Sequence, residues 1–172
     1  MAHIARRAAI LTVSDRVARG EQDDRSGPAL AERLEEAGWE VAARAVVPDE
    51  VGSIAAALAR WAGEGLPLVV TTGGTGIAPR DVTPDATRQV SEREVPGIAE
   101  ALRAASLAET PHAMLSRATA GVRGSTLIVN LPGSPRAIDT TFAVLAPVLD
   151  HAVRLLRGEV VAATEHRALD TP

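Results

Sequence analysis

The run Leu68-Val69-Val70-Thr71-Thr72-Gly73-Gly74-Thr75-Gly76 is followed within a few residues by Pro79-Arg80-Asp81-Val82-Thr83-Pro84. An apolar strand that ends in a glycine turn bearing hydroxyls, a cation and a carboxylate suits a phosphorylated ligand. Glycine permits tight turns and lets backbone amides approach an oxyanion. The run does not fit the P-loop pattern, since Gly-Lys-Ser/Thr does not follow it, and its spacing departs from the dinucleotide fingerprint. A glycine loop kept for folding alone is the plainer reading. Asp81 favours the chemical one: a carboxylate repels phosphate unless a cation lies between them, and Mg2+ supplies that bridge while polarising a phosphoryl group. The plainer role for Asp81 is an Asx turn or a loop-stabilising acceptor before Thr83.

Asp49 ends another strand-like segment, where it is either a second metal ligand or a cap for the helix containing Ile54. Ser14 and Asp15 hold the analogous place after the first strand and suit ligand orientation, although a serine-aspartate turn is common without function. Arg80 and Arg136 can neutralise phosphate, or else form surface ion pairs. Ser134 follows Pro132 and Gly133, where its hydroxyl and the nearby amides suit an anion. No serine sits in a G-x-S-x-G elbow. The histidines (His3, His112, His151 and His166) are scattered, so a histidine-built zinc site has little support.

These residues need a scaffold, and the elements around them read as alternating strands and helices. Ala8 to Val13 is a buried strand, and Arg16 to Gln22 reads as a loop. Ser26 is the expected cap of a helix carrying Leu30, Leu34 and Ala37, with Gly38 its stop. A second strand runs from Trp39 to Val47, a helix carries Ile54, Leu58 and Trp61, and Leu68 to Thr72 is the third strand. Thr83-Pro84-Asp85 has the chemistry of a helix start, with Thr83 as cap. Ile98 to Leu107 is another helix, and Met114 to Thr119 continues as a short helical piece. Gly121 to Gly124 reads as a turn and Thr126 to Leu131 as a buried strand. A long closing helix carries Phe142, Leu145, Leu149, Val153 and Leu156, and Pro147 must disrupt a hydrogen bond within it or begin a new segment. The pattern predicts a three-layer α/β/α sandwich with a largely parallel sheet, its polar loops meeting at the C-terminal ends of the strands.

A chain of 172 residues supports one full core. We expect a single domain over 1–158 and a mobile C-terminal tail over 159–172. The aromatic residues are Trp39, Trp61 and Phe142 alone, so the core rests on Ala, Val, Leu and Ile and platforms for base stacking are nearly absent. A net charge of −4 without a basic stretch argues against binding a nucleic-acid backbone. The absence of cysteine excludes disulfides, thiolate catalysis and cysteine-held metals, and agrees with a cytoplasmic address. No apolar stretch approaches the roughly 20 residues of a membrane span, and no signal peptide is convincing.

Taken together, Thr71 to Gly76, Pro79 to Pro84 and Leu131-Pro132-Gly133-Ser134-Pro135 resemble the MogA/MoaB family of molybdenum cofactor biosynthesis proteins. Ser14-Asp15-Arg16 and Asp24-Arg25-Ser26-Gly27-Pro28 add to the resemblance, which covers roughly residues 8 to 157. It implies a molybdopterin-binding α/β fold, a homotrimer, and ATP-dependent adenylylation of molybdopterin with release of pyrophosphate. It further implies Asp49 and Asp81 as the acidic pair for magnesium-assisted catalysis. Gly73, Gly74, Thr75 and Gly76, with Ser14 and Asp15, would line the ligand pocket, and Ser116, Arg117, Pro132, Gly133, Ser134 and Arg136 would add phosphate or pterin contacts. Glu94, in Arg93-Glu94-Val95-Pro96-Gly97, resembles a retained family position. Transfer of the product to a molybdenum insertase is the implied next step. The alternatives are a noncatalytic molybdopterin-binding or scaffold protein and another nucleotide-dependent transferase.

Overall fold

Six strands form one sheet in the computed structural model, which describes residues 6–159. In chain order the elements are β1 (Arg7–Val13), α1 (Asp15–Ala18), α2 (Ser26–Glu36), β2 (Glu40–Val47), α3 (Val51–Gly63), β3 (Leu68–Thr72) and α4 (Thr83–Val90). There follow β4 (Arg93–Glu94), α5 (Pro96–Leu107), a 3-10 turn (Pro111–Leu115), β5 (Ala120–Arg123), β6 (Thr126–Leu131) and α6 (Pro135–Leu156). The strand order is β2-β1-β3-β6-β5-β4. The first four of these strands are parallel, while β5 runs antiparallel to β6 and β4 antiparallel to β5.

The apolar runs in β1, β3 and β6 look continuous because helices cover both faces of the sheet. Beneath that run lies a period of two. Ala8, Ile10, Leu68, Val70, Leu127, Val129 and Leu131 pack with residues of α2, α5 and α6 on one face. Ala9, Leu11, Val13, Val69 and Ile128 pack with α3 and α4 on the other. The scarce aromatics are divided in the same way, Trp39 and Phe142 in the first layer and Trp61 in the second. The expected sandwich is therefore the observed one.

Local expectations fared unevenly. The segment read as a turn, Gly121 to Gly124, is mostly strand: β5 pairs with β6, and the turn is the two residues Gly124 and Ser125, with Gly124 at φ +57°. A helical turn, α1, replaces the expected loop after Ser14. Met114 to Thr119 does not continue as helix beyond Leu115 but straightens into β5. Pro147 leaves α6 unbroken over 22 residues, because it lies on the exposed face where water can serve the carbonyl it orphans. Glu159 pairs with Arg154 at 3.3 Å, and the rest of the expected tail, 160–172, lies outside the described residues. No helix among the described residues is long and apolar enough to cross a membrane.

Candidate functional site

Parallel register brings three strand ends side by side: Thr12 stands opposite Thr72, and Thr72 opposite Leu131. The loops that follow are packed backbone against backbone. Gly73 donates its N–H to Leu131 O at 3.2 Å, and Thr72 Oγ1 donates to Pro132 O at 2.8 Å. A Cβ on Gly73 would strike Val13 O, and one on Gly133 would stand 3.2 Å from Gly73 Cα. Gly73 and Gly74 have φ +97° and +62°, the left-handed region that glycine enters without strain.

Thr83 locks the far end of this loop. Its Oγ1 donates to Gly73 O at 2.9 Å and its N–H to Gly74 O at 3.1 Å. The expected helix cap is thus a loop brace, and α4 begins after Val82 with no side-chain cap. The same correction applies at α2, where Ser26 is the first helical residue and Asp24 takes the capping role by accepting the Gly27 N–H at 2.8 Å.

One side of the glycine loop is acidic. The Asp15 N–H donates to Asp49 Oδ2 at 2.7 Å, and the Asp49 N–H donates to Asp15 Oδ1 at 3.0 Å. Arg80 donates to both oxygens of Asp15, at 2.9 and 2.7 Å. Asp49 Oδ1 lies 2.9 Å from where a Cβ on Gly74 would stand, and Asp81 Oδ2 lies 2.7 Å from that of Gly76. The Asx turn towards Thr83 does not form, since the Thr83 N–H goes to Gly74 O; Asp81 instead reaches back and accepts the Ala78 N–H at 2.9 Å, bracing the loop before it.

The electrostatics follow from these contacts. Burial pushes the Asp49 carboxyl above its ordinary value, and the negative charges of Asp15 and Asp81 push the same way, against the Asp15 amide and Arg80. The hydrogen-bonded Arg80 guanidinium holds Asp15 below its ordinary value, helped by the Asp49 amide. Among the described residues no group of three or more His, Cys, Asp and Glu side chains is arranged to hold a metal ion. Asp49 and Asp81 each bring a hard carboxylate oxygen to the glycine loop, at Gly74 and Gly76. Mg2+ commonly binds one or two carboxylates and completes its shell with water and substrate phosphate.

The other side is a cavity of about 280 Å³ between the ends of β1, β3 and β6, lined by Ser14, Asp24, Arg25, Gly73, Gly133 and Ser134 among others. Ser14 and Ser134 each cap a helix at this rim, accepting the Val17 and Ala137 N–H groups at 3.3 and 3.2 Å. Pro135 opens α6 directly behind Ser134, so the positive end of a long helix faces the cavity. Asp24 and Arg25 were not among the expected site residues. The signal available for Asp24 was an aspartate before Ser-Gly-Pro, an Asx arrangement in which Gly27 has no room for a Cβ beside Asp24 and Thr12.

Other expected residues lie further out. Arg117 braces the glycine loop, donating its backbone N–H to Thr75 O at 2.8 Å and a guanidinium N–H to Asp81 O at 2.9 Å, and it pairs with Asp85. Ser116 accepts the Ala118 N–H and lines a small cavity with Asn130 and Pro132. Arg136 points into solvent, 87% exposed, and pairs with Glu109. Glu94, on the edge strand β4, pairs with Arg88, and a chain of ion pairs through Asp85 and Arg117 is its connection to the loop. His112 meets Thr110 in the 3-10 turn.

A model described as a probable molybdopterin binding domain matches residues 9–151. A molybdopterin adenylyltransferase of Helicobacter pylori strain J99 is 39% identical over 164 residues, covering 91% of this chain and 90% of that protein. A molybdenum cofactor biosynthesis bifunctional protein of Chlorobaculum tepidum is 43% identical over 153 residues, covering 89% of this chain and 49% of its own length. The chain spans about half the length or less of several such relatives. The crystal structure of the molybdopterin biosynthesis enzyme MoaB from Thermus thermophilus superposes with a TM-score of 0.84 at 52% identity, covering 89% of this chain and 97% of that one. With the matched model spanning β1 to α6 and the strand-end loops in place, the chain belongs to the MogA/MoaB family of molybdopterin-binding proteins of molybdenum cofactor biosynthesis.

Proposed function

We propose that the protein is a molybdopterin adenylyltransferase, moving AMP from ATP to the terminal phosphate of molybdopterin. The observation that carries this reading is the approach of Asp49 and Asp81 to the glycine loop at Gly74 and Gly76, beside a cavity rimmed by two helix caps. An oxygen of the molybdopterin phosphate attacks the α-phosphorus of ATP, the bond to the β-phosphate bridge breaks, and pyrophosphate leaves. No residue of the chain becomes adenylylated.

The residues of the chain align and stabilise. Gly74, Thr75 and Gly76 would offer backbone amides to the phosphates, while Gly73, its N–H spent on Leu131 O, closes the turn against Val13. Ser14, Gly133 and Ser134 line the cavity, and Ser134 caps α6 so that its amino end faces an anion there. Arg80 supplies positive charge on the acidic side, and Arg117 holds the loop from behind. Asp49 and Asp81 would hold magnesium, which when bound would supply positive charge to the transferring group. The donor chemistry fits: the Asp49 carboxyl is raised first by burial and then by the like charges of Asp15 and Asp81, and a bound cation offsets both.

The reading carries further expectations: a homotrimer, a cytoplasmic address where ATP is abundant, and hand-over of the adenylylated product to a molybdenum insertase. Purified protein, molybdopterin, ATP and Mg2+ should yield adenylylated molybdopterin and pyrophosphate in equal amounts. Binding of molybdopterin without either product, while a known adenylyltransferase turns over alongside, would establish the noncatalytic binding protein instead. Light scattering should return three times the 17.9 kDa chain mass; a stable monomer rejects the trimer.

A further inference from the structure

Asp15 stands where three strand-end loops meet. Its carboxylate accepts the Asp49 N–H from the loop after β2 and both arms of Arg80 from the loop after β3, while its own N–H, after β1, donates to Asp49 Oδ2. A carboxylate offers about four lone-pair sites, and protein donors already take three of those on Asp15. Asp49 is different. Its Oδ2 is held by the Asp15 amide, whereas among the described residues no hydrogen-bond donor reaches Oδ1, which faces Gly74.

We propose that Asp15 is a positioning residue for the adenylyl transfer, locking Asp49 with one oxygen turned to the glycine loop and holding Arg80 clear of it, without itself touching magnesium, ATP or molybdopterin. The inference rests on the adenylyltransferase reading for its reaction, but not for its geometry. The two-way exchange between Asp15 and Asp49 fixes the Asp49 side chain, which would otherwise rotate freely about its last bond. The Arg80 clamp has a second effect. A guanidinium released from Asp15 stays tethered one residue before Asp81, where its charge competes with a cation for the carboxylates of Asp49 and Asp81.

The test reads Mn2+ affinity in ligand-free protein by electron paramagnetic resonance, with Mn2+ as the probe, beside steady-state kinetics. Asp15→Ala should weaken Mn2+ binding about 10-fold to 100-fold, the usual cost of removing a group that orients a metal ligand. Adding Arg80→Gln to Asp15→Ala should recover part of that loss, because the released cation is gone. With Mg2+ raised to saturation, turnover number should fall while both KM values stay within about 3-fold, since Asp15 contacts neither substrate. Asp15→Asn keeps an acceptor for the Asp49 amide and serves if the alanine variant does not fold; it should lose less affinity than alanine. Unchanged Mn2+ affinity in both variants with a raised KM for either substrate would make Asp15 a substrate contact and overturn the proposal. So would wild-type protein that binds no Mn2+. If wild-type protein binds Mn2+ and yields no product, the adenylyltransferase reading fails while the positioning role is still decided by the affinities.

Discussion

Gly74 and Asp49 meet across the loop so closely that a Cβ on Gly74 would stand 2.9 Å from Asp49 Oδ1 and collide with Thr83 Oγ1. Gly74 also has φ +62°, so an alanine there is strained before it touches anything. Both effects act on the residues that the proposed reaction uses. Gly74→Ala should cost roughly 2–4 kcal/mol, strain and overpacking together, and should abolish adenylyl transfer in the fraction that remains folded. Gly20 separates the two causes, having φ +72° with nothing within 4 Å of its Cβ position. Gly20→Ala should cost only about 1 kcal/mol and leave activity in place; equal losses in urea titration of the two variants would refute the collision.

Asp49 sets a pH dependence of stability. Its carboxyl is raised in the folded chain, so between the unfolded and folded values the native state holds the extra proton. Stability from this group is therefore greatest at low pH and is lost as pH rises through the folded value. Asp15 has the opposite sign: lowered by Arg80, its contribution is present above the unfolded value and disappears as pH falls through the folded one. Asp49→Asn should accordingly be inactive yet more stable than wild type at pH 7 in EDTA, with the difference shrinking as pH falls towards 4. Magnesium should narrow the gap from the other direction, because a ligand bound only by the native state stabilises it. Urea midpoints at two pH values, with and without Mg2+, measure both effects, and a wild type more stable than Asp49→Asn at pH 7 in EDTA contradicts the sign.

The residues whose chemistry is local were readable without coordinates. Leu68 to Thr72 announced a buried strand by its β-branched run, and Gly73 and Gly74 announced a turn that only glycine enters easily. Hydroxyls were harder to assign, because a serine or threonine at a helix start caps, braces or binds with equal local logic. Thr83 braces Gly73 O, Ser26 caps nothing, and Ser134 does cap. The Asp15–Asp49 exchange joins positions 34 residues apart. It depends on β1 and β2 lying side by side, which periodicity does not specify. The hairpin at Gly124 was hidden because β5 is only four residues long and contains a glycine.

Ser134 offers a clean distinction between capping and ligand binding. Its Oγ accepts the Ala137 N–H and it also borders the cavity. Ser134→Ala should lose about 1 kcal/mol as an orphaned helix amide. Ser134→Gly keeps much of the cap's backbone preference and should lose only a few tenths. If the hydroxyl serves α6 alone, activity per folded molecule will be similar in the two variants and near wild type. If it also meets phosphate, both variants will show a raised KM regardless of their stability, and titration calorimetry with ATP or molybdopterin will say which substrate it meets.

Asn130 is the one amide side chain buried in the central strands, and it ties the sheet to the site. Its Nδ2 donates to Thr71 Oγ1 at 3.0 Å and Thr87 Oγ1 at 2.8 Å, while its Oδ1 accepts the Thr119 N–H at 3.3 Å. Thr71 lies two residues before Gly73, and Thr87 lies on the helix that Thr83 anchors, so the network backs the glycine loop from within. Asn130→Val fits the strand but leaves the buried Thr119 amide without its partner. It should cost roughly 1–3 kcal/mol, with faster hydrogen exchange at Thr119. Asn130→Asp preserves shape and acceptors but places a carboxyl where its ionised form is poorly solvated, so its value should rise on folding. That variant should be least stable at pH 7 and gain stability as pH falls, the same sign as Asp49. An Asn130→Asp chain with a flat pH profile relative to wild type would show that water reaches this network, and that the loop is not backed by a sealed core.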